Sequence, residues 1–313
     1  APPGKKRMCR VKRDWQTIGH AHSHEQECSI VDESVEHPAD TWCQRGHLYY
    51  KDRLTIRSTK IYMDGALGSY GAALLDQYCD KNTTGLLRTT PEIFNSSVRK
   101  WMECDFQVNT HAIGDQANRV VLDGYIWAMN LLNLTHKDMR NRVEHAQIIN
   151  PDDFIKFRDY NIIPSMQQIH AMSDRNMSID RIGCNETRIR GAYAWKTFMN
   201  MGVLIPGGSD FPVERANPMF GLHAAVTREN QSGFPSGGWY PEQKMTRWEA
   251  LQSFTKVAAH AAFQEDELGT IAPGKHADFI VIDKDYMRMP QSDIWKINVL
   301  QTYFGGKAVY TRE

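Results

Sequence analysis

The stretch Phe106-Gln-Val-Asn-Thr-His111, which ends in Gly114-Asp115, decides the fold class. It has the length and composition of a short strand that ends in a turn. An amphipathic helical pattern over residues 117–131 follows, and Arg142-Val-Glu-His-Ala146 is another short strand pattern. A strand, a helix and a strand in this order predict a βαβ unit, whose two strands lie parallel in one sheet.

The same alternation continues on both sides of this unit. Strand patterns cover 54–63, 162–166 and a stretch from 203 toward 210, and helical patterns cover 91–103 and 246–263. We count five β/α units, which indicates an α/β fold with a parallel sheet. The tail differs, because 277–283 and 299–310, with a turn at Gly305-Gly306, predict antiparallel strands.

Three regions follow from these patterns. Residues 1–46 combine a basic start with a His-, Glu- and Cys-rich stretch and keep no helical or strand period, so we expect a loop-like segment. Residues 47–264 form the α/β region, and residues 265–313 form the antiparallel tail.

Composition excludes several classes of protein. The chain has 313 residues, 37 Lys and Arg balance 37 Asp and Glu, and 41% of the residues are hydrophobic. The formal net charge of zero gives no field that would attract nucleic acid. A mean hydropathy of −0.53 and the lack of any long apolar run argue against a membrane span in this chain.

Four polar residues fall near the carboxyl ends of predicted strands, namely Lys60, His111, His145 and Asp210. Functional groups collect at this end of the strands in parallel α/β barrels. Each residue alone also fits a structural role, but their joint placement favours a divalent metal, because imidazole and carboxylate suit zinc. A lysine carbamylated by CO₂ becomes an anionic ligand that bridges two metals.

Five segments that contain these residues resemble the amidohydrolase superfamily, and more narrowly its amidohydrolase-3 (YtcJ-like) branch. They are Lys60-Ile-Tyr-Met-Asp-Gly-Ala-Leu-Gly-Ser69, Thr110-His-Ala-Ile-Gly-Asp115, Arg142-Val-Glu-His-Ala-Gln147, Ser165-Met-Gln-Gln-Ile-His-Ala-Met-Ser-Asp174 and Gly208-Ser-Asp-Phe-Pro-Val213. The tail from Leu268 to Asp283 is similar to the segment that leads into the small β domain of that family. The resemblance covers roughly residues 47–313.

The resemblance implies a TIM-like (β/α)₈ barrel, a β-sandwich built from both chain ends, and one or two zinc ions. Lys60 would be the strand-4 lysine and a candidate carbamate. His111 and His145 would be the metal ligands of strands 5 and 6. Asp210 would be the strand-8 aspartate, which binds metal and takes a proton from the attacking water.

The resemblance also implies a His-x-His pair on strand 1, which this sequence places differently. The only His-x-His sequence, at His20, His22 and His24, lies too close to Lys60 for three βα crossovers of roughly 30 residues each. We therefore expect an incomplete barrel of about strands 4–8, a chain that lacks the N-terminal part. Such a chain alone would bind metal weakly and lack hydrolase activity.

Two residues after the fourth strand pattern, His170 and Asp174, are candidates for binding substrate, and Arg228 and Trp239 are weaker ones. The function expected from the resemblance is metal-dependent hydrolysis of a carbon–nitrogen bond, other than a peptide bond, in a small molecule. One alternative is a non-catalytic or truncated protein with an incomplete metal site. Another is a metal-binding His segment at 20–24 without catalysis. A homo-oligomer is compatible with either class.

The cysteines and asparagines bear on the cellular compartment. Six cysteines permit disulfides but include no Cys-x-x-Cys pair. Six Asn-x-Ser/Thr sequons favour a glycoprotein of the secretory pathway, with chance occurrence in a cytoplasmic protein as the alternative.

Overall fold

The computed structural model describes residues 54–313, together with Cys43 and the backbone of the strand Leu48–Tyr50. The predicted loop-like segment 1–46 and the histidines at 20, 22 and 24 therefore lie, apart from Cys43, outside the described residues. Within residues 54–313 none of the helices combines the length and the apolar character that crossing a bilayer requires.

A parallel sheet of four strands forms the centre of the described fold. Its strands, in spatial order, are β3 (Ser58–Tyr62), β4 (Gln107–Ala112), β5 (Arg142–His145) and β6 (Ile163–Ser165). All three pairings are parallel, and they align Tyr62 with His111 and His111 with Glu144. The expectation of an α/β fold with a parallel sheet is confirmed.

The two faces of this sheet differ in polarity because side chains alternate along each strand. Val108 and Val143 are fully buried beneath the helices. The opposite face carries polar side chains such as Asn109, His111 and Glu144. Parallel sheets normally have both faces covered by apolar groups, so a polar face marks where chemistry can take place.

Two long helices cover the apolar face. Helix α1 (Pro91–Glu103) begins with Thr90, whose hydroxyl accepts from the Ile93 amide at 3.4 Å, and places Pro91 in the first turn. Helix α2 (Asp115–Leu131) follows β4 directly. The buried Tyr125 hydroxyl of α2 lies 2.7 Å from Thr110 Oγ1 and 3.0 Å from the carbonyl oxygen of Val108. These contacts fix α2 against the middle of β4.

Shorter helices complete the region beyond β5. They are α3 (Phe154–Asp159), α4 (His170–Ser173), α5 (Arg175–Ile182), α6 (Glu186–Arg190), α7 (Trp195–Asn200), α8 (Pro218–Thr227), α9 (Arg247–Ser253) and α10 (Lys256–Ala261). Three 3₁₀ segments accompany them, at Pro151–Asp153, Pro241–Gln243 and Gln291–Lys296.

Three sequence expectations need correction. The stretch predicted as one strand over 54–63 is divided into β2 (Leu54–Ile56), which pairs antiparallel with β1 (Leu48–Tyr50), and β3. The predicted strand from 203 toward 210 is reduced to a single parallel bridge between Met166 and Gly207. Proline has no N–H, so Pro206 cannot extend that ladder.

The third correction concerns the helix predicted over 246–263. It divides into α9 and α10 at Thr255, where the backbone angles are φ −129° and ψ −91°. The change of direction brings the loop at Gly269 against this corner, since a Cβ at Gly269 would lie 2.9 Å from the Lys256 Cα.

The tail forms a separate antiparallel sheet of β7 (Phe279–Ile282), β8 (Val299–Phe304) and β9 (Lys307–Thr311). Gly305 and Gly306 have φ angles of +55° and +74°, which a tight turn between β8 and β9 requires. Both antiparallel segments predicted from the sequence are therefore present. Assignment of this sheet to a β-sandwich stays a prediction.

Among the described cysteines, two disulfides link distant parts of the chain. Cys79 pairs with Cys184 and Cys43 pairs with Cys104. Cys79–Cys184 joins the loop after β3 to the segment between α5 and α6. The sequence permitted disulfides without indicating which cysteines pair.

Candidate metal centre

Two histidine rings meet at the carboxyl ends of neighbouring strands. His111 is the penultimate residue of β4 and His145 is the last residue of β5. Their ring centroids lie 4.5 Å apart at an interplanar angle of 75°. Because β4 and β5 are parallel and adjacent, these two side chains, 34 positions apart in the sequence, come together, as the sequence predicted for this pair.

Burial keeps both rings neutral. Burial, reinforced by the nearby His145 and Lys60, lowers the pKa of His111 to about 3. Burial also lowers the pKa of His145, against the opposing effect of the Gln167 hydrogen bond. The neutral imidazole is the form that binds a metal ion, so both side chains are in the binding form at neutral pH.

The orientation of the His145 ring is fixed by Gln167. The His145 Nδ1 lies 2.8 Å from the Gln167 Oε1. Since a carbonyl oxygen only accepts, Nδ1 carries the proton and Nε2 keeps its lone pair. His145 also has a φ of +77°, a left-handed conformation that is costly for a side chain of this size and is typical of functional sites.

A buried carboxylate, Asp64, lies beside His111. Its oxygens accept hydrogen bonds from the amides of Ala73, Ile113 and Gly114, at 2.9, 3.0 and 2.8 Å. The His111 Nε2 lies 3.5 Å from the Asp64 Oδ1, and it has no hydrogen-bond partner among the described residues. Burial raises the pKa of Asp64 to about 7 although these amide bonds lower it.

A third histidine extends the cluster. His170, the first residue of α4, is buried, and its ring centroid lies 6.1 Å from that of His145. Its Nε2 is buried without a hydrogen-bond partner in residues 54–313. Burial lowers the pKa of His170, while the charge of Asp174 raises it. The sequence-predicted pair His170 and Asp174 therefore borders the two strand-end histidines.

Tyr193 connects this border to the His145 loop. Its hydroxyl donates to the Asp174 Oδ2 at 3.0 Å, accepts from the Gln147 Nε2 at 2.7 Å and lies 3.0 Å from the Ser178 Oγ. Gln147 is two residues beyond His145. Sequence reasoning did not identify Tyr193, because no short motif marks a contact between side chains 46 residues apart.

Arg228, a weaker candidate, is a fully buried packing residue. Its Nη1 donates to the Tyr193 carbonyl oxygen at 2.9 Å, and its guanidinium lies 4.3 Å from the Trp195 ring centroid. Its Nε donates to the carbonyl oxygen of Trp239, the other weak candidate. Arg228 thus links the Tyr193 backbone to that of Trp239.

The positions of Lys60 and Asp210 differ from those of the histidines. Lys60 lies in the middle of β3, not at its carboxyl end, because the strand continues to Tyr62. Its side chain is exposed, with Nζ 4.8 Å from the Tyr62 ring centroid. Asp210 is exposed in a turn at φ +55°. Their charges act on His145, whose pKa Asp210 raises and Lys60 lowers.

In the part of the chain that the structure describes, no three His, Cys, Asp or Glu side chains are grouped with the geometry of a metal site. His111, His145 and His170 nevertheless lie close to one another, with Asp64 beside His111. The structure leaves Lys60 and Asp210 at the edge of this group.

Comparison with known proteins agrees with the architecture. The pattern of the family described as "Amidohydrolase family" matches residues 6–310. The chain belongs to the amidohydrolase family. This match begins earlier than residue 47, where the motif resemblance in the sequence begins.

Two curated proteins illustrate the relationship. The protein LONG AFTER FAR-RED 3 of Arabidopsis thaliana is 32% identical, over 87% of this chain and 47% of its own length. YtcJ of Bacillus subtilis (strain 168), which is named as an amidohydrolase, is 31% identical over 81% of this chain and 47% of its own length. The chain spans about half the length of these curated relatives.

A solved structure with the same fold is a metal-dependent hydrolase of Pyrococcus horikoshii OT3. It is 27% identical, with a TM-score of 0.69 over 81% of this chain and 50% of that one. The N-substituted formamide deformylase of Arthrobacter pascens is a more distant relative, 26% identical over 81% of this chain and 45% of its own length.

Proposed function

We propose that this protein is a metal-dependent hydrolase that cleaves a carbon–nitrogen bond, other than a peptide bond, in a small molecule. The observation that carries the proposal is the pair of neutral imidazoles of His145, which is buried, and His111, which is largely buried, 4.5 Å apart at adjacent strand ends. Membership of the amidohydrolase family and the formamide-cleaving relative support the kind of bond.

The donor set suits a divalent metal, with zinc as our choice. His145 offers Nε2 while Gln167 holds its Nδ1, and the Asp64 Oδ1 lies 3.5 Å from the His111 Nε2. Carboxylate–histidine contacts of this kind orient metal-binding imidazoles. We assign Lys60, as a carbamate, and Asp210 as the remaining ligands from this chain, for one ion or two.

The chemistry divides between the metal and the protein. When bound, the metal would supply an activated water at neutral pH and polarise the scissile carbonyl. Asp210 takes the proton of the attacking water and passes it to the leaving nitrogen. His170, whose ring centroid lies 6.1 Å from that of His145, and Asp174 would contact the substrate.

The polar face of the parallel sheet supports a finer assignment of the fold. We propose that β3, β4, β5 and β6 correspond to strands 4 to 7 of a TIM-like (β/α)₈ barrel, with the chain near Gly207 as strand 8. The polar side chains would then point into the barrel and the tail sheet would belong to a β-sandwich.

One observation favours a second candidate, a non-catalytic amidohydrolase-like protein. Among the described residues no group of three ligands has metal-binding geometry. A protein with this role would keep the fold and bind metal weakly. Metal content and turnover together distinguish the two candidates.

Replacement of Asp210 tests the proposed mechanism. Asp210→Asn keeps the size of the side chain but removes the proton acceptor, so we expect turnover to fall by about 10²–10⁴-fold with the fold intact. The measurement is release of amine from an N-substituted formamide by the full natural protein, with circular dichroism as the check on folding.

Asp266→Asn is the matched control, since Asp266 is exposed and this substitution removes the same charge. We expect it to leave turnover unchanged. If Asp210→Asn turns over at the rate of this control, the general base is another group.

A further inference from the structure

Asparagines in this chain are followed unusually often by the glycosylation pattern. Six of the fifteen asparagines begin an Asn-x-Ser/Thr sequon, whereas 33 Ser and Thr among 313 residues would give about one or two by chance. The six are Asn82, Asn95, Asn133, Asn176, Asn185 and Asn230. The hydrolase site uses none of them.

Two of these asparagines lie in exposed turns. Asn82 lies in the loop after β3, and Asn133 lies two residues beyond α2 with a φ of +54°. Both asparagines and the threonines of their sequons, Thr84 and Thr135, are exposed. Within residues 54–313, neither asparagine side chain has a hydrogen-bond partner. A large substituent on either amide nitrogen would therefore extend into solvent.

Asn95 has the opposite environment. Its Oδ1 is buried without a hydrogen-bond partner among the described residues, on the side of α1 that faces α2. That oxygen would lie 2.5 Å from a Cβ on Gly124, so the two helices leave no space there. A sugar on Asn95 would separate α1 from α2.

The remaining three asparagines are held by their amide oxygens. Asn176 accepts from the Arg175 Nη1 at 2.8 Å and Asn185 accepts from the Arg188 amide at 3.2 Å. Asn230 accepts from the Phe234 amide at 3.0 Å. These bonds restrict rotation of the three side-chain amides, whereas the amides of Asn82 and Asn133 have no such restriction within residues 54–313.

The disulfides point to the compartment in which sequons are used. The Cys79–Cys184 disulfide joins residues 105 positions apart, and Cys79 lies three residues before Asn82. Disulfides persist in oxidising compartments such as the lumen of the endoplasmic reticulum and are rare in the cytosol. Sequon frequency and disulfide pairing are independent observations that agree on this compartment.

We propose that Asn82 and Asn133 carry N-linked oligosaccharides and that Asn95 does not. In the reaction the Asn Nδ2 loses a proton and bonds to the anomeric carbon of an oligosaccharide. The bond from that carbon to the diphosphate of a lipid carrier breaks, and the diphosphate leaves with the electron pair. The proposal is independent of hydrolase activity.

The test uses protein purified from its own organism and treated with peptide-N-glycosidase in H₂¹⁸O, which converts a glycosylated Asn into ¹⁸O-labelled Asp. Tryptic peptides 82–88, 89–99 and 120–137 contain Asn82, Asn95 and Asn133, respectively. Peptide 120–137 also contains Asn130, which is not in a sequon and is an internal control.

We expect the label at Asn82 and Asn133 and no label at Asn95 or Asn130. Thr84→Val and Thr135→Val should each abolish the label at their own asparagine, whereas Thr84→Ser and Thr135→Ser should keep it. Recovery of peptides 82–88 and 120–137 unmodified before enzyme treatment would overturn the proposal, as would a labelled Asn95.

Discussion

The Tyr193 hydroxyl lies within hydrogen-bond distance of side chains from three separate segments, two of which adjoin His145 and His170. Gln147 follows the His145 loop, Asp174 follows the His170 helix, and Ser178 belongs to α5. The Tyr193 amide also donates to the Gln147 carbonyl oxygen at 2.8 Å. Tyr193 is therefore a positioning residue between the two histidine segments.

Removal of this hydroxyl should destabilise the protein. Tyr193→Phe leaves the buried Gln147 amide and the partly buried Asp174 carboxylate without a shared partner, so we expect the free energy of unfolding to fall by about 1–3 kcal/mol. Urea denaturation measures the change. Tyr78→Phe is the matched control, since the buried Tyr78 hydroxyl donates only to the Ala72 carbonyl oxygen at 2.9 Å. A loss no larger than that of the control would contradict the role of Tyr193.

Single residues also show how far sequence reasoning reaches. The strand-end histidines could be predicted because parallel neighbouring strands bring their carboxyl ends together. The contacts of Asp64, Gln167 and Tyr193 could not, since each depends on the packing of loops that are distant in sequence. Lys60 was expected at a strand end, although the strand pattern over 54–63 already extended beyond it, and the structure places it two residues before the end of β3.

At the scale of elements, the long regular segments agree best with their sequence patterns. The bounds of α1 and α2 lie within two residues of prediction, and β4 and β5 lie within one. These segments have a clear period and strong end signals such as Thr90 and Gly114. The predicted strand after 203 failed because Pro206 interrupts the ladder, an effect that competes with the apolar pattern of Val203 to Ile205.

The end of α10 is held to the amino-terminal end of the sheet by a charged cluster. The Arg140 Nη2 lies 2.7 Å from the Glu265 Oε1, and the Arg140 Nη1 donates to the His260 carbonyl oxygen at 2.6 Å. The Gln107 Nε2 donates to the Ala261 carbonyl oxygen at 2.8 Å. The Arg140 hydrogen bond holds the pKa of Glu265 at about 2, although its partial burial acts in the opposite direction.

This lowered pKa predicts how acid affects the docking of α10. The folded state keeps Glu265 ionised below the ordinary pKa of a glutamate, so its contribution is complete above about pH 4.5. The contribution is lost as the pH falls toward 2. In Glu265→Gln we expect lower stability at pH 7 and a smaller decrease on acidification between pH 4.5 and 2.

Urea denaturation at several pH values measures this difference between variant and wild type. Glu267→Gln is the control, because Glu267 is exposed on the same loop and its only ion pair is a 3.7 Å contact with His276 within the described residues. Parallel pH curves for wild type and Glu265→Gln would contradict the assigned ion pair.

At the scale of the whole molecule, one sheet with an apolar face and a polar face separates the packing of the helices from the candidate metal centre. The apolar face packs against α1 and α2, and the polar face presents His111 near the end of β4, where the His145 ring lies 4.5 Å away. The amidohydrolase family match spans most of the chain, which itself covers about half of its relatives' length. The proposal that His111 and His145 hold a catalytic metal is the central claim about this arrangement.

Metal content of the full natural protein, measured by inductively coupled plasma mass spectrometry after dialysis, tests that claim most directly. We predict at least one divalent ion per chain in the wild type. Loss of a ligand should lower bound zinc at least tenfold in His111→Ala and in His145→Ala, while the exposed control His136→Ala should match the wild type. Metal content that is unchanged in both ligand variants, with the fold intact, would contradict the claim.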